Sequence, residues 1–362
     1  MRRIIVQAAH HAKHGHMPSA LSLVEILKSY SEVKQEQDEI VLSKGHGCLA
    51  LYAMLHLQGH VSLDEVLNFG KYNMKLGGHP DRNKLEQIYA STGSLGHGLP
   101  IAVGAAMTGL RPIVDLMFGD FLFLIMDQLC NQAAKTHYMS GGKLNVPMVL
   151  RTNMGATRRS AAQHSQSLHT LVAHIPGLKV AMPSSAYEAK GLMKTAIRDN
   201  NPVVIFEDKL MYNDKAEVPE EEYLINFGEA EVLHAGEDIT LIATSSMVQQ
   251  AELAAQTLAE RNISAEVIDP RTISPLDETT IINSVKKTSH AIVIDEGHQN
   301  YGVTAEIAAR ISEKAFYYLD APVQRFGAMD VPVPFSPALE DLTVPTAQQI
   351  HERAIMILEG KI

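Results

Sequence analysis

The chain has 362 residues, enough for two or three domains with cores of their own, and 46% hydrophobic against 20% charged residues is ordinary for a soluble globular α/β protein. A net charge of −10, with 31 basic residues scattered and no basic run, excludes the extended basic face that nucleic acid requires. The two cysteines, Cys48 and Cys130, lie in apolar segments and provide no disulfide framework, so buried thiols in a reducing cytoplasm are expected.

The start, Met1 to Val6, is basic and then apolar, but His10, His11, Lys13 and His14 interrupt it before a signal-peptide core can form. No apolar run reaches the roughly eighteen residues of a membrane span. His10 and His14 share a helix face, with His11 and His16 nearby, which permits a metal site. No acidic or cysteine partner follows at a ligand spacing, and a solvated, partly amphipathic helix is the reading.

Helical spacing marks Ser19 to Leu27, Val41-Leu42-Ser43 reads as a short strand, and Gly47 to Leu57 returns to helix. Breakers make Gly77-Gly78-His79-Pro80 a loop. Ser91 to Gly98 leads into a small-residue helix, Leu99 to Met107, with Gly104 where close packing is expected. Regular alternation then begins. Strands are predicted at 113–118, 146–150, 179–182 and 203–206, with helices at 126–139 and 186–198. The strands are apolar on both faces, so a parallel sheet covered on both sides is expected. Asn213 to Asn226, acidic and carrying Pro219, reads as a linker. Beyond it come strands at 239–243, 265–268, 291–294 and 323–326 and helices at 247–261, 277–285 and 303–311, a second doubly wound parallel sheet.

Four ordered motifs occupy the front: Gly15-His16, Leu42-Ser43-Lys44-Gly45-His46-Gly47, Gly78-His79-Pro80 and Ser91-Thr92-Gly93-Ser94-Leu95-Gly96-His97-Gly98. Through them residues 15–107 resemble the diphosphate-binding domain of a split-type transketolase. Residues 110–362 carry Phe118-Gly119-Asp120-Phe121, Asp127-Gln128, Gln163-His164-Ser165-Gln166-Ser167, Pro176-Gly177-Leu178 and Asp269-Pro270-Arg271-Thr272. They are similar to the β subunit of 2-oxo acid dehydrogenases and to the second half of transketolase. The resemblance implies an α/β fold of doubly wound parallel sheets. A hybrid thiamine-diphosphate-binding domain would span 1–214, diphosphate-type to 107 and pyrimidine-type from 108, followed by a transketolase C-terminal-type domain at 228–362.

What the resemblance implies about chemistry attaches to particular residues. His46 would lie near the diphosphate, Gly93 and Leu95 would line the cofactor, and Phe121 would stack on its pyrimidine with a flat apolar face. His16, His79 and His164 would act on substrate oxygens, where a near-neutral imidazole can transfer a proton. Asp120 and Asn153 would supply oxygen ligands to Mg²⁺. The family's Gly-Asp-Gly segment and its activating glutamate are missing, with Ser94-Leu95 in the glutamate's neighbourhood. Loss of such acid–base help costs roughly a hundred- to ten-thousandfold in rate, and Glu207 and Glu86 are the conceivable substitutes. The readings left open are transfer or cleavage of a two-carbon ketol or acyl unit from a sugar phosphate or 2-oxo acid by a cytoplasmic homodimer, a non-catalytic scaffold or regulatory partner, and a dehydrogenase β-type subunit. Arg151, Arg158, Arg159 and Arg271 are the candidates for a sugar-phosphate pocket.

Overall fold

The computed structural model describes residues 1–35, 38–42, 45–93 and 96–362. Its strands are β1 (Ile40–Val41), β2 (Ile113–Leu116), β3 (Val149–Met154), β4 (Lys179–Ala181), β5 (Val203–Asp208), β6 (Glu231–His234), β7 (Ile239–Ala243), β8 (Ala265–Asp269), β9 (Thr272–Ser274), β10 (Ala291–His298) and β11 (Gln324–Ala328). They form a six-stranded sheet in the order β1-β2-β3-β5-β4-β9 and a five-stranded sheet in the order β11-β10-β7-β8-β6. The chain divides into two compact units. The first comprises Met1–Thr152, Ile175–Leu178 and Met193–Val204, and the second comprises Asn153–His174, Lys179–Leu192 and Ile205–Ile362.

In the first unit β1 pairs with β2, and β2 with β3, all parallel. Every residue of β2 and β3 is buried, as near-continuous apolar runs require of strands covered on both faces. Helix Cys48–Leu57 buries its first eight residues, which is why its sequence shows helical length without one clear apolar stripe. Three expectations change here. The strand predicted at 146–150 runs at Val149–Met154, because Pro147 cannot donate to a ladder. Helix 126–139 contains a π-helical stretch, Gln128–Ala133. Gly104 faces open space, so close packing is not its reason for being glycine.

In the second unit the five-stranded sheet has helices on both faces. Leu241, Val267 and Ile294 pack with helices Met247–Ala259 and Ala347–Leu358, while Ile242, Ile268 and Val293 pack with Glu278–Thr288 and Val303–Ala315. The doubly wound arrangement is therefore present, but the sheets are mixed: β6 runs antiparallel to β8, and β9 antiparallel to β4. The half-exposed β6 reads as an alternating edge strand, the pattern a solvated edge permits. Of the predicted linker 213–226, Asn213 closes the 3₁₀ turn Lys209–Asn213 and residues 214–226 form no regular element. They are nevertheless fastened, with Tyr223 stacked on Tyr187 at 4.4 Å and Ile225 set where a side chain at Gly191 would fall.

Candidate functional site

The first unit gathers three of the motif histidines. His16 immediately precedes the short helix Met17–Leu21 and its Nδ1 lies 2.7 Å from Ser19 Oγ. His46 sits on the turn Gly45–Gly47 and its ring stands between the other two, 5.6 Å from that of His16 and 4.9 Å from that of His79, edge-on to both. His16 and His79 are exposed and His46 is half-buried, so the group offers imidazole N–H donors to solvent.

Backbone crowding brings these residues together. A side chain at Gly45 would fall 2.4 Å from the carbonyl of Thr92 and 2.7 Å from the ring of His79, so only glycine lets the loops 45–47, 77–80 and 92–93 meet. Gly93 joins them, its missing Cβ 3.7 Å from His79. Beneath, two side chains one turn apart on helix Cys48–Leu57 hold the loop of His79. The Tyr52 hydroxyl lies 3.0 Å from the Gly77 carbonyl and 3.1 Å from that of His79, and Cys48 Sγ lies 3.2 Å from the Gly78 carbonyl. Burial pushes the Cys48 thiol up to about 12 and the Tyr52 phenol further above its usual value. Neither group is ionised, and both serve as neutral donors. Tyr52 was not singled out by the sequence, although its i+4 spacing from Cys48 was available.

Thr92 is buried and its hydroxyl has no hydrogen-bond partner among the described residues. An orphaned donor beside glycine and three imidazoles suits an anionic ligand, and this donor set fits the diphosphate end of thiamine diphosphate. Leu95 lies outside the described residues. Phe121, half-buried on the 3₁₀ segment Gly119–Leu124, meets Phe118 edge-on at 6.0 Å, and Asp120 beside it is buried. Among the described residues no group of three His, Cys, Asp or Glu side chains is arranged to hold a metal ion.

The second unit carries His164 and Asn153. Asn153 is buried on β3. His164 is half-buried, and its carbonyl accepts a hydrogen bond from Lys209 Nζ. Below its loop lies a buried polar group that sequence reasoning missed. His169 Nε2 stands 3.0 Å from Asp295 Oδ2, and Asp295 also accepts from the Thr244 hydroxyl and the Gly297 N–H. Burial raises Asp295, but the neighbouring His169 and these donors outweigh it and the net shift is downward. Glu296 is pushed well up by burial and by Asp208, and accepts from Ser167 Oγ at 2.9 Å. Gly155 is glycine because a side chain would fall 2.9 Å from Glu296 Oε2 and 3.0 Å from Asp208 Oδ1. Glu296 and Asp295 sit in a strand that reads as plain parallel-sheet sequence, and only the buried acidic pair signalled more.

The four arginines proposed for a phosphate pocket are engaged internally. Arg151, fully buried, donates to Asp115 at 2.8 Å and to the Ser22 carbonyl, and Arg158 donates to the carbonyls of Lys209 and Leu210. Arg159 pairs with Glu340 and Asp341, and Arg271 with Glu188 and Glu231.

Three sequence families match this chain in succession: the thiamine diphosphate binding domain of transketolase over residues 1–113, its pyrimidine binding domain over 97–215 and its C-terminal domain over 228–350. The chain is 44% identical over 342 residues to the β subunit of acetoin:2,6-dichlorophenolindophenol oxidoreductase of Bacillus subtilis, covering 94% of this chain and 98% of that one. It is 48% identical over 252 residues to the β subunit of the pyruvate dehydrogenase E1 component of Rickettsia felis, covering 70% and 77%. Among solved structures it shares its fold with a split gene transketolase described as an inactive β4 tetramer, at a TM-score of 0.67 and 20% identity over 94% of this chain and 98% of that one. The succession of matching domains and the near-full-length similarity together establish that the chain belongs to the transketolase family of thiamine diphosphate proteins.

Proposed function

We propose that this chain is the β-type component of a thiamine-diphosphate enzyme that cleaves a two-carbon acyl unit from an unphosphorylated carbonyl compound such as acetoin or a 2-oxo acid. The observation that carries the choice of substrate is the internal commitment of Arg151, Arg158, Arg159 and Arg271, the four arginine candidates for a sugar-phosphate pocket. The relatives support the same side of the family, since the similar proteins are β subunits of an acetoin oxidoreductase and of pyruvate dehydrogenase E1.

When bound, thiamine diphosphate supplies a nucleophilic carbon and an electron sink next to the substrate carbonyl. In this proposal His46, with the Thr92 hydroxyl and the backbone at Gly93, binds the diphosphate, and His16 and His79, the candidates for acting on substrate oxygens, also orient it. Asp120 of the first unit and Asn153 of the second are each a candidate oxygen ligand for a Mg²⁺ that would accompany the diphosphate. Phe121 offers an apolar face to the pyrimidine. His164 holds or returns a proton at the substrate oxygen. No carboxylate stands in the sequence at the family's glutamate position, so the chain on its own should turn over slowly and depend on a partner chain or a second copy to complete the site.

The test is dye reduction with acetoin or pyruvate as donor, beside a ketose phosphate, in the presence of thiamine diphosphate and Mg²⁺. Acyl-donor turnover with none from the ketose phosphate agrees with the proposal. Equal or faster turnover of the phosphorylated donor would refute it.

A further inference from the structure

The segment leading into His164 has an unusual backbone. Alternate residues Gly155, Thr157, Arg159 and Ala161 take φ of +102°, +65°, +56° and +61°. Three of the four carry a Cβ that this left-handed region crowds against the following carbonyl, so the segment does not hold this shape through local preference. A conformation of this kind persists only where its surroundings over-determine it, and such segments gather at functional sites.

The surroundings are specific. Glu340, at the end of the short helix Pro337–Glu340, is fully buried. It accepts from the backbone N–H of Arg159 at 3.1 Å and from Arg159 Nη1 at 2.7 Å. Asp341 takes the rest of the guanidinium, with Nη1 at 2.7 Å and Nη2 at 3.0 Å. One residue in a strained conformation thus has its backbone donor and its whole side chain held by two adjacent carboxylates. The Glu340 carbonyl is in turn held by the Thr343 hydroxyl at 2.7 Å and by the Thr343 N–H at 2.9 Å, so the backbone that carries this carboxylate is itself fixed. The far end of the segment has its own anchor: Arg158 donates to the carbonyls of Lys209 and Leu210, and Lys209 Nζ donates to the carbonyl of His164. An ion pair at the surface would need none of this. A buried carboxylate aimed at a backbone N–H instead fixes the φ and ψ of the residue it binds.

We propose that Glu340 is a positioning residue for His164: with Asp341 it clamps Arg159 and holds the strained 155–161 segment in the shape that presents His164 to substrate. The proposal rests on the substrate-side role given to His164 above and adds the device that makes that role possible. It also accounts for both arginines of the Arg158-Arg159 pair, which serve the loop rather than a ligand.

Hydrogen–deuterium exchange of the full chain tests the clamp without any cofactor. Glu340→Ala should speed exchange of the amides from 156 to 164 by roughly tenfold or more and leave those of β7 and β10 unchanged. In the holoenzyme the same change should lower kcat about tenfold at constant KM, and Glu340→Gln, which still accepts from the Arg159 N–H, should restore most of it. Added to His164→Ala, Glu340→Ala should cause no further loss, because both act through one imidazole. Unchanged exchange in Glu340→Ala, or a full additional loss in the double variant, overturns the proposal. If Glu340→Ala does not fold, Asp341→Ala and Arg159→Met carry the exchange test, with faster exchange confined to 156–164 supporting the clamp and no change opposing it. Normal turnover of His164→Ala alongside faster exchange in Glu340→Ala would sink the role of His164 and leave the clamp standing.

Discussion

The hydroxyl of Tyr52 lies 3.1 Å from the carbonyl of His79, and this contact ties the histidine cluster to the most buried helix of the first unit. Tyr52→Phe keeps the ring and removes the donor, leaving the carbonyls of Gly77 and His79 short of a partner. A cost of about 1–2 kcal/mol in urea unfolding is expected. The same variant should weaken thiamine diphosphate binding several-fold, because His79 then lacks its support. A stability loss without any change in cofactor affinity would show that the tie matters to folding alone.

Cys48 should behave as an inert thiol. Burial holds it at about 12, so at pH 8 only about one molecule in ten thousand carries the thiolate that alkylating reagents attack. Cys130 is partly exposed, and its smaller upward shift leaves it more reactive. Peptide mapping after iodoacetamide treatment of the native protein should find Cys130 modified well before Cys48. Comparable rates would mean that the Cys48 helix opens in solution.

Glu296 gives the stability curve a definite sign. Its folded pKa is raised above the unfolded value of 4.5, by burial first and then by Asp208, so the native state binds the extra proton. Its contribution is therefore fully present below the unfolded pKa and is lost as pH rises through the folded value. Glu296→Gln retains an acceptor for Ser167 and gains an N–H for Asp208. Urea midpoints should show the variant as stable as the parent or more so at pH 8, with a flatter decline above pH 5. A parent whose stability does not fall from pH 5 to pH 8, or a variant weaker at pH 8, would contradict the raised pKa of the buried Glu296.

Arg151 and Asp115 form an ion pair in which both side chains are almost fully removed from water. Removing one partner strands a buried charge, so Arg151→Ala should cost about 3–5 kcal/mol, while replacing both by apolar residues of similar volume should recover much of that. Chemical denaturation of the two single variants and the double variant decides it. A loss below about 1 kcal/mol in Arg151→Ala would mean that water reaches the pair.

Much of the fold was legible because its signals are local. Helix Ala186–Arg198 and β7 fall where periodicity places them, and the Gly45 motif marks a loop where a side chain would strike the Thr92 carbonyl. The antiparallel β6 and β9 escaped because they are short or alternate only partly, and strand direction is set by long-range pairing that no window contains. The histidine cluster was named residue by residue but not as one group, since His16, His46 and His79 are separated by 30 and 33 positions and only the fold joins them. The arginines illustrate the opposite failure. Their charges suggested a ligand, and only the placement of Asp115, Glu340, Glu188 and Glu231 shows that the protein itself is the partner.

Isothermal titration with thiamine diphosphate and Mg²⁺ tests the central claim most directly, because the proposal makes binding depend on the imidazoles and glycine of the first unit before any turnover is required. The full-length chain should bind saturably, thiamine lacking the diphosphate should not compete, and His46→Ala should weaken binding about tenfold or more, the worth of a charge-assisted hydrogen bond. Absence of binding at millimolar cofactor, or equal affinity in the His46→Ala variant, would contradict the assignment of this cluster to the diphosphate.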